Sequence, residues 1–203
     1  MLKLKSYQLF QPIYEGFKTV IYQAERHSDN TSVIIKTLRS EYPTLEEIAR
    51  IRHEYNILKT LKKIEGIIKP IELTTEENSL VLVLEYFESQ SLKKFINVED
   101  LDLKQFLNIA IQIADILDKL HQNQVIHKDI KPSNIIINPQ TRQVKIIDFS
   151  IATRLERETQ SPINPNCIEG TLAYMSPEQT GRMNRTIDYR TDFYSLGVTL
   201  TKC

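Results

Sequence analysis

The stretch HKDIKPSNIIINPQTRQVKIIDFS, residues 127–150, decides how the rest of the chain is read. It opens as a polar loop and enters an apolar run, Ile135, Ile136 and Ile137, that ends at Asn138. A turn on Pro139, Gln140 and Thr141 leads into a second apolar run, Val144 to Ile147. Two short apolar runs around a polar turn predict a β-hairpin. Antiparallel pairing sets the residue before the first strand near the residue after the second, so Asn134 and Asp148 are expected as neighbours at the open end. Both offer hard oxygen atoms, and Asp129 and Lys131 stand a few residues upstream on the same loop. Such a cluster suits magnesium and phosphate.

The order His127-Lys128-Asp129, Lys131, Asn134 and then Asp148-Phe149-Ser150 resembles the catalytic loop and metal-binding triplet of the eukaryotic-type protein kinases. A polar loop closing a hairpin accounts for any one of these residues, but not for four charged or amide groups at this spacing. The resemblance implies that Asp129 takes the proton of the substrate hydroxyl, that Lys131 neutralises the transferred phosphate, and that Asn134 and Asp148 hold Mg2+. Lys131, two residues past the base, resembles serine/threonine rather than tyrosine kinases. His127 is implied to pack under the triplet, with no acid or base role. Lys128 replaces the more frequent Arg, keeping the charge but not the fork that grips a phosphate. Ser150 replaces a glycine, which gives the backbone there less freedom.

Upstream, Tyr7 to Tyr14, Val20 to Ala24 and Ser32 to Leu38 read as strands, with a polar turn at His27 to Thr31. The connection IYEGFKTVIYQA resembles a degraded glycine-rich loop, with Gly16 retained, Tyr14 in place of the first glycine and Thr19 in place of the third. Lys36 ends an apolar run, where a lysine is ordinarily a surface residue. A helix from Leu45 to about Lys62 follows, opened by a capping box of Thr44 and Glu47 and given an apolar face by Ile51, Tyr55, Leu58 and Leu61. Glu54 lies beside that face, and the resemblance implies that it pairs with Lys36. Strands at Ile67 to Leu73 and Leu80 to Tyr86, joined by a turn at Glu76 to Ser79, complete five. The run VLVLEYFESQSL resembles the family's hinge, with Leu84 behind the adenine pocket. By the same resemblance the ATP-binding set is Ile13, Gly16, Ile21, Ile34, Lys36, Glu54, Glu85, Phe87 and Ile136, with Glu85 and Phe87 offering backbone groups.

Downstream of the hinge, apolar residues Phe106, Leu107, Ala110, Ile113, Ala114, Leu117 and Leu120 predict a helix from Leu103 to Asn123, capped by Asp102. His121, near its end, reads as a surface or capping residue. Residues 148–178 resemble an activation segment closed by Ser176-Pro177-Glu178, with Thr153, Thr159 and Ser161 as candidate phosphorylated hydroxyls. Gly170-Thr171 resembles the pocket that favours a serine or threonine acceptor. Asp192 to Gly197 resembles the start of the buried helix whose Asp192 bonds the catalytic-loop backbone. The words IEGTLAYMSPEQTGRMNRTIDYRTDFYSLGVTL resemble the kinase module that heads large bacterial signalling proteins, cyanobacterial ones among them, ahead of an ATPase-like region, a GAF domain and a sensor histidine kinase. At Thr201-Lys202-Cys203 the pattern is left, so the last helices of the large lobe are expected to be missing and the piece to fold poorly alone.

Composition bounds the reading. The 203 residues carry 26 Lys plus Arg against 26 Asp plus Glu, with scattered charges and no basic patch for nucleic acid. Two cysteines make no disulfide framework, and no run nears the roughly 18 apolar residues of a membrane span, so a soluble, cytoplasmic protein is expected. The expected fold is α+β, a bilobal kinase-like fold with a five-stranded small lobe and hinge over residues 1–87 and an incomplete, mainly helical large lobe over 88–203. The expected activity is transfer of phosphate from ATP with Mg2+ to serine or threonine of protein substrates. Downstream signalling modules, or a chain supplying the missing helices, are the other partners implied. A nucleotide-binding pseudokinase and an inactive remnant of a larger signalling protein are the competing readings.

Overall fold

The computed structural model describes residues 4–76, 79–155, 169–183 and 185–202. They form two compact units, Met1–Lys62 with Ile68–Phe87, and Lys63–Ile67 with Glu88–Cys203.

The first unit is built on an antiparallel sheet of β1 (Tyr7–Glu15), β2 (Thr19–Arg26), β3 (Ser32–Leu38), β4 (Pro70–Glu76) and β5 (Ser79–Glu85), in the order β1-β2-β3-β5-β4. Strand alternation sends Ala24, Val33, Ile35, Val81 and Val83 to one face, where Leu4 and Tyr7 complete a core. Pro12 sits on the edge strand β1 between two register shifts, where a residue lacking an N–H costs no ladder bond. β5, flanked by β3 and β4, buries every residue from Leu80 to Leu84 and therefore reads as an unbroken apolar run. Helix α1 (Leu45–Thr60) begins at the expected capping box: Thr44 Oγ1 accepts from Glu47 N at 3.2 Å, and Glu47 Oε2 accepts from Thr44 N at 2.9 Å.

The fourth strand departs from the expected Ile67 to Leu73. It runs Pro70–Glu76, because Ile67 and Ile68 are buried without joining that sheet. Ile67 instead bridges Ile146 in the second unit, where Ile146 N donates to Gly66 O at 2.7 Å. Gly66 has φ +85°, and a Cβ there would meet Ile116 Cγ1 at 2.4 Å and Cδ1 at 2.5 Å. Only glycine supplies both that backbone and that clearance.

The second unit holds β6 (Gln90–Ser91), α2 (Leu92–Ile96), α3 (Leu103–Gln122), β7 (Val125–Ile126), β8 (Ile135–Ile137), β9 (Val144–Ile146), β10 (Thr153–Arg154) and α4 (Arg190–Leu200). Helix α3 starts at a capping box of Asp102 and Gln105 and buries Ile109, Ile113, Ile116, Leu117 and Leu120. Two expected core residues differ: Leu107 and Ala114 are exposed, while Ile109 and Ile116 take the inner positions. The helix is apolar on more than one stripe, and the spacing alone does not choose between them. The expected hairpin forms with Ile135 opposite Ile146 and Ile137 opposite Val144. Asn138 organises its turn, its Oδ1 accepting from Gln140 N at 2.9 Å and Thr141 N at 2.8 Å. Among the described residues no helix is long and apolar enough to cross a membrane.

Candidate active site

In the first unit, residues opposite each other on antiparallel strands share a face. The pairs Tyr14 with Ile21, Ile21 with Lys36 and Ile34 with Leu84 therefore bring Tyr14, Ile21, Ile34 and Lys36 to one side of the sheet. α1 delivers Glu54 to that side: Lys36 Nζ lies 2.7 Å from Glu54 Oε2, with the side chains only 8% and 1% exposed. Ile13 falls in the irregular stretch of β1 and is 59% exposed. Glu85 N donates to Lys69 O and Glu85 Oε1 accepts from Lys69 N, both at 2.9 Å, and Phe87 closes the unit half-buried.

The turn between β1 and β2 is closed. Gly16 N donates to Thr19 O at 2.8 Å and Arg39 Nη1 donates to Gly16 O at 3.3 Å. The Tyr14 ring lies over Gly16, since a Cβ there would meet Tyr14 Cε1 at 2.9 Å. The one glycine kept from the phosphate loop thus has its N–H engaged internally.

In the second unit, the loop after β7 brings Asp129, Lys131 and Asn134 together. Lys131 Nζ donates to Asp129 Oδ2 and to Thr171 Oγ1, each at 2.6 Å. Asn134 Nδ2 donates to Asp129 O and Oδ2, each at 2.9 Å. Asp129 Oδ1 is buried with no hydrogen-bond partner. Ile147 N donates to Asn134 O at 3.0 Å, which sets Asn134 beside the strand end that leads into Asp148. Asp148 has φ +65°, so the chain turns sharply at the residue expected to bind metal. Ile136 is the half-exposed member of β8, with Ile135 and Ile137 buried on the other face.

The donor set fits a hard divalent cation. With Asn134 Nδ2 committed to Asp129, its Oδ1 is the atom left to ligate, and Asp148 adds a carboxylate. His127 does not compete, because Nδ1 accepts from Asp129 N at 3.2 Å and Nε2 donates to Ile147 O at 3.1 Å. Its ring also meets Phe149 edge-on with centroids 4.7 Å apart. Among the described residues no group of three or more His, Cys, Asp or Glu builds an all-protein cage, whereas magnesium is usually bound by one or two protein oxygens and completed by phosphate and water.

Asp192 on α4 supports the loop from beneath. It is fully buried, its Oδ2 accepts from His127 N at 2.9 Å and its Oδ1 accepts from Lys128 N at 2.9 Å. The reading of His121 as a surface or capping residue is corrected here: its side chain is 11% exposed and Nε2 donates to Asp192 Oδ2 at 2.9 Å. Its partner lies 71 residues away, beyond the reach of helix periodicity. Lys128 Nζ stands 3.5 Å from Glu169 Oε2, so its charge meets a carboxylate of the following segment. Gln179, which sequence reasoning passed over, is 6% exposed and donates to Lys128 O at 2.8 Å. Thr153 is exposed on β10, and the other two candidate phosphorylation sites, Thr159 and Ser161, lie outside the described residues.

A five-stranded sheet with a buried lysine–glutamate pair, and a helical unit that gathers an aspartate, a lysine and an asparagine on one loop, define a phosphotransferase of the kinase type. Residues 7–203 match the protein kinase domain, and the chain belongs to that family. It is 32% identical over 196 residues to a probable serine/threonine-protein kinase of Clostridium perfringens, covering 96% of this chain and 28% of that protein. It is 35% identical over 196 residues to the serine/threonine-protein kinase PrkC of Bacillus subtilis, covering 96% of this chain and 29% of that protein. Serine/threonine-protein kinase A of Synechocystis is 32% identical over 208 residues, covering 95% of this chain and 39% of that protein. The chain thus spans under a third of the length of the first two relatives and about two fifths of the third.

Proposed function

We propose that this chain transfers the γ-phosphate of ATP to serine or threonine hydroxyls of proteins, with Asp129 as the base. The observation that carries the reading is the Asp129 carboxylate. Its Oδ2 is held by Lys131 and Asn134, while Oδ1 is buried without a donor. A buried acceptor left open is costly, and a substrate hydroxyl brings the O–H that satisfies it. Lys131, bonded to both Asp129 and Thr171, places positive charge beside the transferred phosphate. Asn134 and Asp148 would hold Mg2+, which supplies positive charge to the phosphate oxygens. Lys36, oriented by Glu54, takes the α- and β-phosphates, and Ile13, Ile21 and Ile34 of the first unit give the adenine apolar contacts. Glu85 and Phe87 offer it backbone groups. The resemblance of residues 168–200 to modules that head large bacterial signalling proteins supports downstream signalling domains as partners in the cytoplasm.

The test is turnover of a serine- or threonine-containing protein by the 203-residue chain and its Asp129→Asn variant. The variant is expected to lose on the order of 100- to 10,000-fold in kcat. Unchanged turnover removes Asp129 from the role.

A second reading, a nucleotide-binding module without transfer, is favoured by one observation: the Gly16 N–H is engaged by Thr19 O beneath the Tyr14 ring. Phosphotransfer above background that disappears in Asp148→Ala counts against it.

A further inference from the structure

We propose that Gln179 is a positioning residue: it fixes the peptide plane in front of Asp129 and so ties the orientation of the base to the stretch that carries Gly170, Thr171 and Ser176. The inference rests on the reading of Asp129 as the base and adds a residue that acts through it.

The argument starts from strain. Lys128 has φ +66°, a left-handed backbone that a lysine adopts only when its surroundings hold it there. Its N–H is held by Asp192 Oδ1 at 2.9 Å. The peptide group that follows is held at both ends. Its carbonyl, Lys128 O, accepts from Gln179 Nε2 at 2.8 Å, and its N–H, Asp129 N, donates to His127 Nδ1 at 3.2 Å. Rotation of this plane swings the Asp129 Cα and with it the carboxylate. His127 and Gln179 are therefore the two side chains that hold this peptide plane, while Lys131 and Asn134 hold the carboxylate itself.

The Gln179 amide has a single usable orientation. Its Oε1 accepts from Ser176 N at 3.1 Å and from Ser176 Oγ at 3.3 Å, while its Nε2 faces a backbone carbonyl. A backbone N–H can only donate and a carbonyl can only accept, so a flipped amide loses both contacts. Ser176 is itself fully buried, and its hydroxyl reaches Thr191 on α4 at 3.5 Å. Gly170 passes close by, where a Cβ would stand 3.3 Å from the same Lys128 carbonyl. The segment carrying Thr171 and Ser176 thus closes on the peptide that aims Asp129, and Gln179 makes its hydrogen bond to that peptide.

The experiment uses the 203-residue chain and two variants, Gln179→Glu and Gln179→Met. Gln179→Glu keeps an oxygen for Ser176 and replaces the donor toward Lys128 O with an acceptor. Gln179→Met keeps the length and removes both contacts. In both, kcat is expected to fall on the order of 10- to 100-fold, as for a displaced reacting group, with KM for ATP and the Mg-ATP-induced rise in Tm unchanged. Burial and the facing Lys128 carbonyl push the introduced carboxyl above its ordinary value of about 4.3, and its protonation restores a donor, so the activity of Gln179→Glu relative to the parent is expected to climb as pH falls from about 7 to about 5, whereas that of Gln179→Met stays flat. A kcat equal to the parent in both variants, or a flat pH ratio for Gln179→Glu, overturns the proposal. If Gln179→Glu does not fold, the split between kcat and KM in Gln179→Met decides alone. Parent activity that is lost in Asp129→Asn but intact in both Gln179 variants sinks this inference and leaves the base assignment standing. A parent with no activity sinks both.

Discussion

At the scale of single residues, the first unit hides two charges whose removal has different costs. Lys36 and Glu54 meet at 2.7 Å with almost no solvent contact. Glu54→Ala takes the carboxylate away from a buried ammonium and is expected to cost roughly 3 to 5 kcal/mol in urea unfolding. Lys36→Met combined with Glu54→Leu removes both charges and is expected to cost less than that single change, because no buried ion remains. A double variant that is the less stable of the two would show that the pair itself stabilises the unit. Tyr7 supplies a pH test. Burial, and then its hydrogen bond to Glu72, push the phenol up to about 12. An unfolded tyrosine titrates near 10, so the folded state favours the neutral phenol. The stabilisation is whole below about pH 10 and is lost as pH rises through about 12. Tyr7→Phe is expected to flatten that alkaline limb of the stability profile, and an unaltered slope would assign the limb to other groups.

At the scale of elements, the capping box before α1 carries an expectation of its own. Thr44→Ala removes the acceptor of Glu47 N and is expected to cost about 1 kcal/mol, read as a lowered Tm. The same box made the helix legible: Thr44, Glu47 and the apolar spacing are local signals, and the helix starts at Leu45 as they require. β3 was legible end to end, Ser32–Leu38, because polar turn residues bound a β-branched run. The fourth strand was displaced by three residues at its start because Ile67 and Ile68 are apolar for a different reason. Both are buried, and apolar character records burial rather than pairing in that sheet. The short α2, Leu92–Ile96, went unread, since five residues give too little periodicity. The charged loop groups were legible through spacing. His121 and Gln179 were not, because their partners, Asp192 and Lys128, stand 71 and 51 residues away in the chain.

At the scale of the whole chain, charge and apolar surface combine. Acidic and basic residues balance and the isoelectric point is about 6.9. Leu103, Leu107 and Ile111 line one exposed stripe of α3, at 73%, 47% and 57% exposure. With little net charge to keep copies apart, solubility is expected to be lowest near neutral pH and to rise at about pH 8.5 and above. Light scattering across that range checks it, and a solubility independent of pH would put the apolar stripe, not charge, in control.

The glycine at residue 66 carries a consequence for heredity. Every single-base change in a glycine codon that swaps the amino acid introduces a side chain with a Cβ or a stop. Here any Cβ lands within 2.5 Å of Ile116 on a backbone at φ +85°. In a library of random codons selected for folded protein, position 66 is expected to return to glycine alone, while open Gly197, with nothing within 4 Å of its Cβ position, drifts freely. The surviving genotypes would record this contact as an invariant glycine written in any of its synonymous codons, readable by sequencing without any measurement on the protein.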